Sequence, residues 1–424
     1  MKALLDIIFF RSNNLDYISK KIKILSKQTN VNQIFNCIRT NSPRGEIRYV
    51  GGCLRKILNN ETVDDVDLAT NLEPEEVCKI FKKNNIKYFE SGIEHGTITA
   101  LIDNEKFEIT SLREDVLSDG RHAEVKFSRD WKKDASRRDF TINSIYSDNE
   151  GNLFDPFNGK IDLKKGHINF IGDPDKRIKE DYLRILRYLR FFSNYSKHQH
   201  QDEVIKKIKI NIGGISKLSK ERLLDELKKI AKLVTLEKLS SNKISSEIFL
   251  MIFPEIKNLK LFQKMSSHAK EIAKEFDFIF LLILMIVDGK DNADYFLYKY
   301  NISNKDKKRI KFVDNFFKDG IKSKKFSEND LNKIFYHDGK QAVVDILNFQ
   351  IFKSLKIDLR LIEYRDLFKN KITPIMPIKA DLLISKYKIS EGKTLGNKLK
   401  IIEEKWVKNN FSISDEEVEN IVKN

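Results

Sequence analysis

Cysteine is scarce in this sequence of 424 residues, which contains Cys37, Cys53 and Cys78 and no other cysteine. Three thiols cannot build a disulfide framework, and no two of them have the spacing of a zinc site. A chain without disulfides is typical of a reducing compartment, so we predict a cytoplasmic location.

Long apolar runs are also missing. The most apolar stretch, residues 278–287 (FIFLLILMIV), lies between Asp277 and Asp288 and is too short to span a bilayer. We therefore predict a buried core helix there and no membrane partner. The sequence implies no protein partner either.

Positive charge, in contrast, is abundant. The chain has 78 Lys+Arg against 62 Asp+Glu, a formal net charge of +16, and its pI is about 9.3. Such an excess favours polyanionic partners, such as nucleic acids and nucleotides. The composition, with 33% charged and 41% hydrophobic residues, is globular, and the length indicates more than one domain.

The two halves of the chain differ in pattern, which predicts an α+β fold. Short strand-like and helix-like runs alternate between residues 48 and 170, whereas apolar residues recur at helical spacing from about residue 179. In the first half, helices are predicted to begin at Cys53 and at Pro74. The predicted strands cover residues 47–50, 65–70, 87–90, 96–103 and 106–112.

A glycine pair, Gly51-Gly52, joins the first predicted strand to a predicted helix. Without Cβ atoms, these residues let backbone N–H groups approach a phosphate, and a helix N-terminus favours an anion. Arg55 is one turn into the helix and is placed to reach the same anion. An ordinary turn is the alternative interpretation of the pair alone.

Two acids one residue apart, Asp65 and Asp67, lie in a predicted strand, so their side chains point to one face. Neighbouring carboxylates repel each other unless a cation lies between them, and Mg²⁺ is a cation that prefers oxygen ligands. Asp64 is predicted to point to the opposite face. Glu108, on a later strand, is either a third acid of this site or an outward-facing glutamate. For the pair alone, a polar edge strand remains the alternative.

Arginines concentrate in two later segments. Arg137 and Arg138 stand in the segment RRDFTIN, where their forked donors suit phosphate and ribose oxygens; a surface ion-pair cluster is the alternative. In EDYLRILRYLR, spacing of three predicts that Asp181, Arg184 and Arg187 lie along one side of a helix. An acid beside an arginine can imitate the pairing edge of a base, although a simple salt bridge explains the spacing equally well.

Taken in order, these segments resemble the motifs of the class II tRNA nucleotidyltransferase and bacterial poly(A) polymerase family. The resemblance covers nearly the whole chain and leaves out the first 45 residues or so. The matching segments are GGCLRKIL…DDVDLAT, SGIEHGTITALI, SLREDVLSDGRHAEVKF, RRDFTIN, LFDPFNGKIDLKKGHINFIGDP, EDYLRILRYLRF, KERLLDELKKI and ADLLISKYKISEGKTLGNKLKIIEEKWV.

The resemblance implies a polymerase-beta-like nucleotidyltransferase head, a small mixed sheet with helices, followed by an all-helical neck, body and tail. The implied parts are an N-terminal helical extension at 1–45, the catalytic head at 46–150, the neck with its nucleotide-selecting helix at 151–215, the body at 216–320 and the tRNA-binding tail at 321–424.

The implied activity is template-independent addition of C, C and A to the 3′ end of tRNA, with CTP and ATP as substrates and pyrophosphate as the leaving group. Asp65 and Asp67 would hold two Mg²⁺ ions. Gly52 and Arg55 would contact the triphosphate. Arg138 would contact ribose or phosphate. Arg137 is the less favoured residue for this contact.

The resemblance also implies how the nucleotide is chosen. Asp181 and Arg184 would read the base, with Glu180 bracing Arg184. Arg187 and Arg190 would extend the site towards phosphate. The loop at 115–122 would help to switch between bases, and lysines of the helical half would contact the tRNA backbone.

Two positions depart from the family pattern. Lys56 stands where family members commonly have aspartate, which leaves the role of this position open. Ser144 replaces a usual alanine, a change that we expect to be harmless.

Other functions remain open at this point. A poly(A) polymerase shares the head, and a partial, A-adding tRNA nucleotidyltransferase would share most motifs. A non-catalytic RNA-binding protein would have lost acids that are intact here. A metal phosphohydrolase of the His-Asp type needs several spaced histidines, and His337-Asp338 lacks convincing partners among seven histidines, so we predict no phosphatase activity.

Overall fold

The structure is a computed structural model that describes residues 17–118, 123–318, 326–354 and 358–423. The chain forms two compact units, one up to Glu226 and one from Leu227 onward. Within the described ranges, no helix has the length and apolarity needed to cross a membrane. The five-part division implied by the resemblance stays a prediction.

The first unit contains a seven-stranded mixed sheet, with strand order β3-β4-β5-β2-β1-β8-β9, and a separate β6-β7 hairpin. Strands β2 and β5 are parallel, and the other neighbours are antiparallel. The strands are β1 Ile47–Val50, β2 Asp67–Thr70, β3 Lys87–Gly92, β4 Thr97–Ile102, β5 Glu105–Ser111, β6 Arg113–Ser118, β7 Ala123–Phe127, β8 Tyr146–Ser147 and β9 Leu153–Phe154.

Helices cover both faces of this sheet and continue beyond it to the end of the first unit. They are α1 (17–28), α2 Val31–Asn41, α3 Gly52–Leu58, α4 Pro74–Lys83, α5 Trp131–Ser136, α6 Gly159–Lys165, α7 Pro174–Glu180, α8 Leu183–Tyr195, α9 Asp202–Asn211 and α10 Lys220–Ile230, which runs past the unit boundary. Together with the helical second unit, they confirm the predicted α+β fold.

Alternation along the strands explains how the sheet is buried. In β5, Phe107 and Ile109 face a core shared with α1 to α4, whereas Glu108 between them is exposed. On the other face, Trp131 of α5 packs edge-on against Tyr146, with ring centroids 5.3 Å apart. The acids predicted to bind metal therefore lie at a sheet whose position is fixed from two sides.

The predicted strand at 65–70 is shorter in the structure, because β2 begins only at Asp67. Asp65 and Val66 precede it, yet they keep its alternation: Val66 is buried and Asp65 is exposed. Both aspartates thus point away from the core, as predicted, although one of them lies outside the strand.

The second unit is helical throughout its described part. The predicted core helix at 278–287 is confirmed: α14 spans Phe278–Ile286 and is buried along most of its length, with Asp277 capping its first turn. The helices are α11 Leu233–Ser241, α12 Lys243–Ile252, α13 Ser267–Ala273, α14, α15 Asn292–Lys299, α16 Asn304–Lys318, α17 Glu328–Asp338, α18 Lys340–Lys353, α19 Leu359–Asn370, α20 Ala380–Tyr387, α21 Lys393–Lys408 and α22 Asp415–Lys423.

Candidate active site

The glycine turn between β1 and α3 is the meeting point of several predicted site residues. Gly51 has φ +65°, a conformation that glycine adopts without strain. A Cβ on Gly52 would lie 3.6 Å from Asp67 Oδ2 and 4.0 Å from Arg55 Nη2, and a Cβ on Gly51 would lie 3.6 Å from Arg138 Nη1. The turn therefore brings a carboxylate and two guanidinium groups together beside the backbone of the glycine pair.

The acids of the predicted site share one face of the sheet, where Glu108 is exposed and Asp67 is half-buried. Asp67 pairs in register with Glu108 on the neighbouring parallel strand, so their side chains share one face. Burial raises the pKa of Asp67, and repulsion from Glu108 and then from Asp65 adds to this shift, whereas the Arg138 guanidinium opposes it. The acids are thus close enough to repel one another, as a cation-binding site requires.

These acids fit a divalent ion that is also bound by substrate. Within the described ranges, no group of three or more His, Cys, Asp or Glu side chains could hold a metal ion alone. Mg²⁺ is usually bound by one or two carboxylates together with substrate phosphates, which matches the pair of Asp65 and Asp67. Whether Glu108 joins them as a third acid stays open.

Lys56, which departs from the family pattern, has a partner on the opposite side of the acid pair. Its Nζ lies 2.7 Å from Asp64 Oδ2, and the Asp64 side chain is 61% exposed. The lysine therefore forms a surface ion pair with the one aspartate of the DDVD segment that was predicted to face away from the site.

Arg55 is buried, and its guanidinium is held between an amide and two aromatic rings. It donates to Asn143 Oδ1 and lies 4.7 Å from the ring centroid of Phe191 and 5.3 Å from that of Tyr195. Its buried Nε has no hydrogen-bond partner within the described residues. An unused donor beside the glycine turn suits an anionic ligand such as a triphosphate.

Asp134 organises the RRDFTIN segment and was missed at the sequence level. Its carboxylate is 1% exposed and pairs with Arg137 at 2.7 Å and Arg138 at 3.2 Å, and it also accepts from Tyr146 at 2.6 Å. Burial would raise the pKa of Asp134, but the Arg138 and Arg137 guanidinium groups outweigh burial and lower it to about 2. Its spacing of three and four from the arginines was the signal that could have revealed it.

The segment predicted to select the nucleotide, residues 180–190, differs from the prediction at its start. Asp181 is not on one helix with Arg184 and Arg187, because its backbone is extended, with φ −152° and ψ 105°, between α7 and α8. The predicted stripe of three therefore holds only for the two arginines. Asp181 instead pairs with Arg222 of α10, at 2.8 Å between Oδ2 and Nη2.

Glu180 contacts Arg184, as the prediction of a brace requires. The Arg184 Nη1 donates to Glu180 Oε2 and to the Arg177 carbonyl, both at 2.7 Å. Arg177 in turn pairs with Glu180 and donates to the Arg138 carbonyl at 2.6 Å. These bonds connect the start of α8 to the segment that carries Arg138.

The remaining predicted arginines, Arg187 and Arg190, are held in ion pairs. The Nε of Arg187 donates to Asp139 Oδ2, and that of Arg190 to Glu226 Oε1, each at 2.6 Å. Burial opposes ionisation of Asp139, but the Arg187 guanidinium dominates and holds its pKa well below the usual range. Contact of these arginines with phosphate remains a prediction.

Half of the loop at 115–122, which is expected to help switch between bases, lies outside what the structure describes. Residues 119–122 are outside the described ranges, and only the antiparallel pairing of β6 with β7 on either side is defined. The switching role therefore stays a prediction.

Comparison with known proteins identifies relatives for this arrangement. Residues 47–169 match the family model described as the Poly A polymerase head domain. The chain is 33% identical over 396 residues to the mitochondrial CCA tRNA nucleotidyltransferase 1 of Mus musculus, covering 89% of this chain and 86% of that protein. It is 32% identical over 305 residues to the CCA-adding enzyme of Staphylococcus haemolyticus, covering 71% and 72%.

Solved structures agree in fold. The CCA-adding enzyme of Bacillus stearothermophilus in complex with CTP has a TM-score of 0.70 at 20% identity, covering 93% of this chain and 97% of that one. The Thermotoga maritima CCA-adding enzyme complexed with tRNA has a TM-score of 0.64 at 17% identity, covering 95% and 98%. At these identities the likeness concerns the fold alone. The family is shown by the sequence relatives, which are more than 30% identical over most of the chain. The chain belongs to the CCA tRNA nucleotidyltransferase family, as its motifs indicated.

Proposed function

We propose that this chain adds C, C and A to the 3′ end of tRNA, with CTP and ATP as substrates and with Mg²⁺. The observation that carries the proposal is the cluster at the glycine turn, where Asp67, Arg55 and Arg138 lie beside the backbone of Gly51 and Gly52. Its support from relatives is sequence identity over most of the chain to enzymes named for this activity.

The residues at the turn divide the work of binding the incoming nucleotide. Gly52 leaves room for the triphosphate, and Arg55 and Arg138 supply its positive partners. Arg138 is fixed for this task by Asp134, so it needs no reorganisation when the nucleotide binds.

Two Mg²⁺ ions would be held by Asp65 and Asp67 together with substrate oxygens. When bound, they supply positive charge for both the attacking 3′-oxygen and the leaving pyrophosphate. The protein's own part is to hold the carboxylates on one face. Because burial and neighbouring acids raise the pKa of Asp67, a cation here relieves an existing repulsion.

Nucleotide choice is assigned to Asp181 and Arg184 at the start of α8. Asp181 offers acceptors and Arg184 offers donors, which together match the pairing edges of cytosine and adenine. The two side chains are held by different partners, Arg222 and Glu180. Each therefore presents its own groups to a base.

A poly(A) polymerase is the second candidate, because the matching family model carries that description. A partial, A-adding tRNA nucleotidyltransferase is a third. The intact Asp181 and Arg184 and the relatives' names favour the complete CCA activity. The absence of phosphatase activity stays a prediction.

The compartment also stays a prediction. Relatives from mouse, zebrafish and human are named as mitochondrial proteins, whereas the Staphylococcus haemolyticus relative is a bacterial enzyme. Relatedness alone therefore does not choose between the predicted cytoplasm and an organelle.

The test uses a tRNA transcript that ends before CCA, with nucleotides supplied singly and together. We expect addition to stop after C, C and A, and chelation by EDTA to abolish it until Mg²⁺ is restored. A long A tail on arbitrary RNA would establish the poly(A) alternative instead.

A pair of neighbouring aspartates supplies the matched variants. Asp67→Asn should reduce incorporation at least a thousandfold without lowering the melting temperature, because the substitution removes a repelled carboxylate. Asp64→Asn should retain incorporation, because Asp64 is predicted to face away from the site and pairs with Lys56. Surviving activity in Asp67→Asn would refute the metal assignment.

A further inference from the structure

The base-reading role given to Asp181 raises the question of what keeps this side chain in place. Asp181 lies in the extended link between α7 and α8, so no helical backbone fixes it. Its Oδ1 accepts from the Leu183 backbone N–H at 3.1 Å, and its Oδ2 accepts from Arg222 Nη2 at 2.8 Å. One anchor is therefore local, and the other comes from 41 residues along the chain.

The helix that carries Arg222 is itself fixed against α8. Glu226, four residues later and hence on the same face of α10, accepts from Arg190 at 2.6 Å. Glu226 is 1% exposed and Arg190 13%, whereas Arg222 and Asp181 are 36% and 25% exposed. The buried pair holds the helix, and the more open pair faces the solvent from which a nucleotide arrives.

The bonds to Asp181 leave it able to accept more. An ionised carboxylate has about four lone-pair sites, and the two bonds described occupy two of them. Cytosine and adenine present an amino group on the pairing edge where uracil and guanine present a carbonyl. A carboxylate held in one orientation accepts from the amino group and repels the carbonyl oxygen.

We propose that Arg222 is a positioning residue for nucleotide choice: it holds the Asp181 carboxylate aimed at the amino group of C or A. This inference rests on the proposed function, because it assumes that Asp181 reads the base. Arg222 contacts Asp181, and of these two residues only Asp181 contacts the base.

The experiment measures kcat/KM for all four nucleoside triphosphates on a tRNA that ends before CCA. Arg222→Ala should lower the preference for CTP over UTP about tenfold, and that for ATP over GTP similarly on a tRNA ending in CC. Such a change is near the lower limit for one base contact. Arg222→Lys, which keeps the charge and one donor, should recover most of the preference.

The control is Lys229→Ala, an exposed residue of the same helix, which should leave the preferences for CTP over UTP and for ATP over GTP unchanged. A purely structural role of Arg222 would lower all four values by one factor, and that result would overturn the inference. If Arg222→Ala fails to fold, Arg222→Gln, which removes the charge, takes its place. A folded alanine or glutamine variant with reduced preference supports the inference, and a folded one with unchanged preference contradicts it. Failure of the wild-type protein to add C, C and A would instead contradict the proposed function.

Discussion

At the scale of single residues, Asp134 illustrates how a buried acid can prepare two arginines for a ligand. Its carboxylate accepts from both Arg137 and Arg138, and Tyr146 donates to the same oxygen as Arg138 does. The arginine side chains are 17% and 19% exposed, so their charges are partly withdrawn from water. The acid compensates that desolvation and fixes the direction in which Arg138 points.

Replacing this acid should therefore cost stability as well as activity. We expect Asp134→Asn to lower the free energy of unfolding by about 3 kcal/mol, because it leaves two arginines without their buried counter-charge. Urea unfolding at pH 7 measures the loss. Asp130→Asn, at the exposed cap of the same helix, should cost no more than about 1 kcal/mol.

The pH dependence of this loss follows from the direction of the pKa shift. The folded pKa of Asp134 is lowered to about 2, below its value of about 3.9 in an unfolded chain. The stabilisation is therefore present in full above about pH 5 and is lost as the pH falls through 2, and it amounts to roughly 3 kcal/mol. The stability difference between wild type and Asp134→Asn should shrink over that interval; an unchanged difference would contradict the assignment.

Several acids and arginines that the sequence predicts for the site lie together in the structure, but the sequence did not indicate their partners. Asp67, Arg55 and Arg138 meet at the glycine turn because local strand, turn and helix patterns place them there. Partners such as Arg222 and Glu226 come from distant parts of the chain, and their pairing depends on how α10 packs against α8. The spacing of residues along the sequence does not indicate which distant residues will pair.

At the scale of elements, the pair Arg190–Glu226 joins α8 to α10. Glu226→Ala should lower the free energy of unfolding by about 3 to 5 kcal/mol, because Arg190 would remain largely buried without a counter-charge. Chemical denaturation measures the loss, and the exposed Lys229→Ala should stay within about 0.5 kcal/mol of wild type. Equal stability of both variants would show that α10 is held by other contacts.

Two element boundaries show where periodicity stops being informative. The predicted strand at 65–70 begins two residues later, because Asp65 and Val66 keep the alternation without pairing to a neighbouring strand. The predicted helix through Asp181 begins at Leu183, because the aspartate accepts the Leu183 N–H from outside the helix. Hydrogen bonding decides both boundaries: backbone pairing sets the start of the strand, and a side-chain bond sets the start of the helix. Apolar spacing detects neither of them.

At the scale of the whole molecule, the net charge of +16 sets how tRNA binding should depend on salt. Each phosphate contact releases counterions, so several contacts should weaken tRNA binding at least tenfold between about 50 and 200 mM KCl. Filter binding with a tRNA transcript measures this effect, and CTP binding provides the comparison. If salt weakened both equally, the surplus lysines would have no part in binding the tRNA backbone.

The first two helices, α1 and α2, have a consequence for any attempt to isolate the catalytic part. The family motifs begin near residue 47, yet Ile22, Val31 and Ile34 are completely buried in the same core as the strands that carry the acids. A fragment cut at the first motif would lose one wall of its hydrophobic interior and expose the apolar side of the sheet to water. The smallest catalytic fragment that folds on its own must therefore begin well before the first family motif.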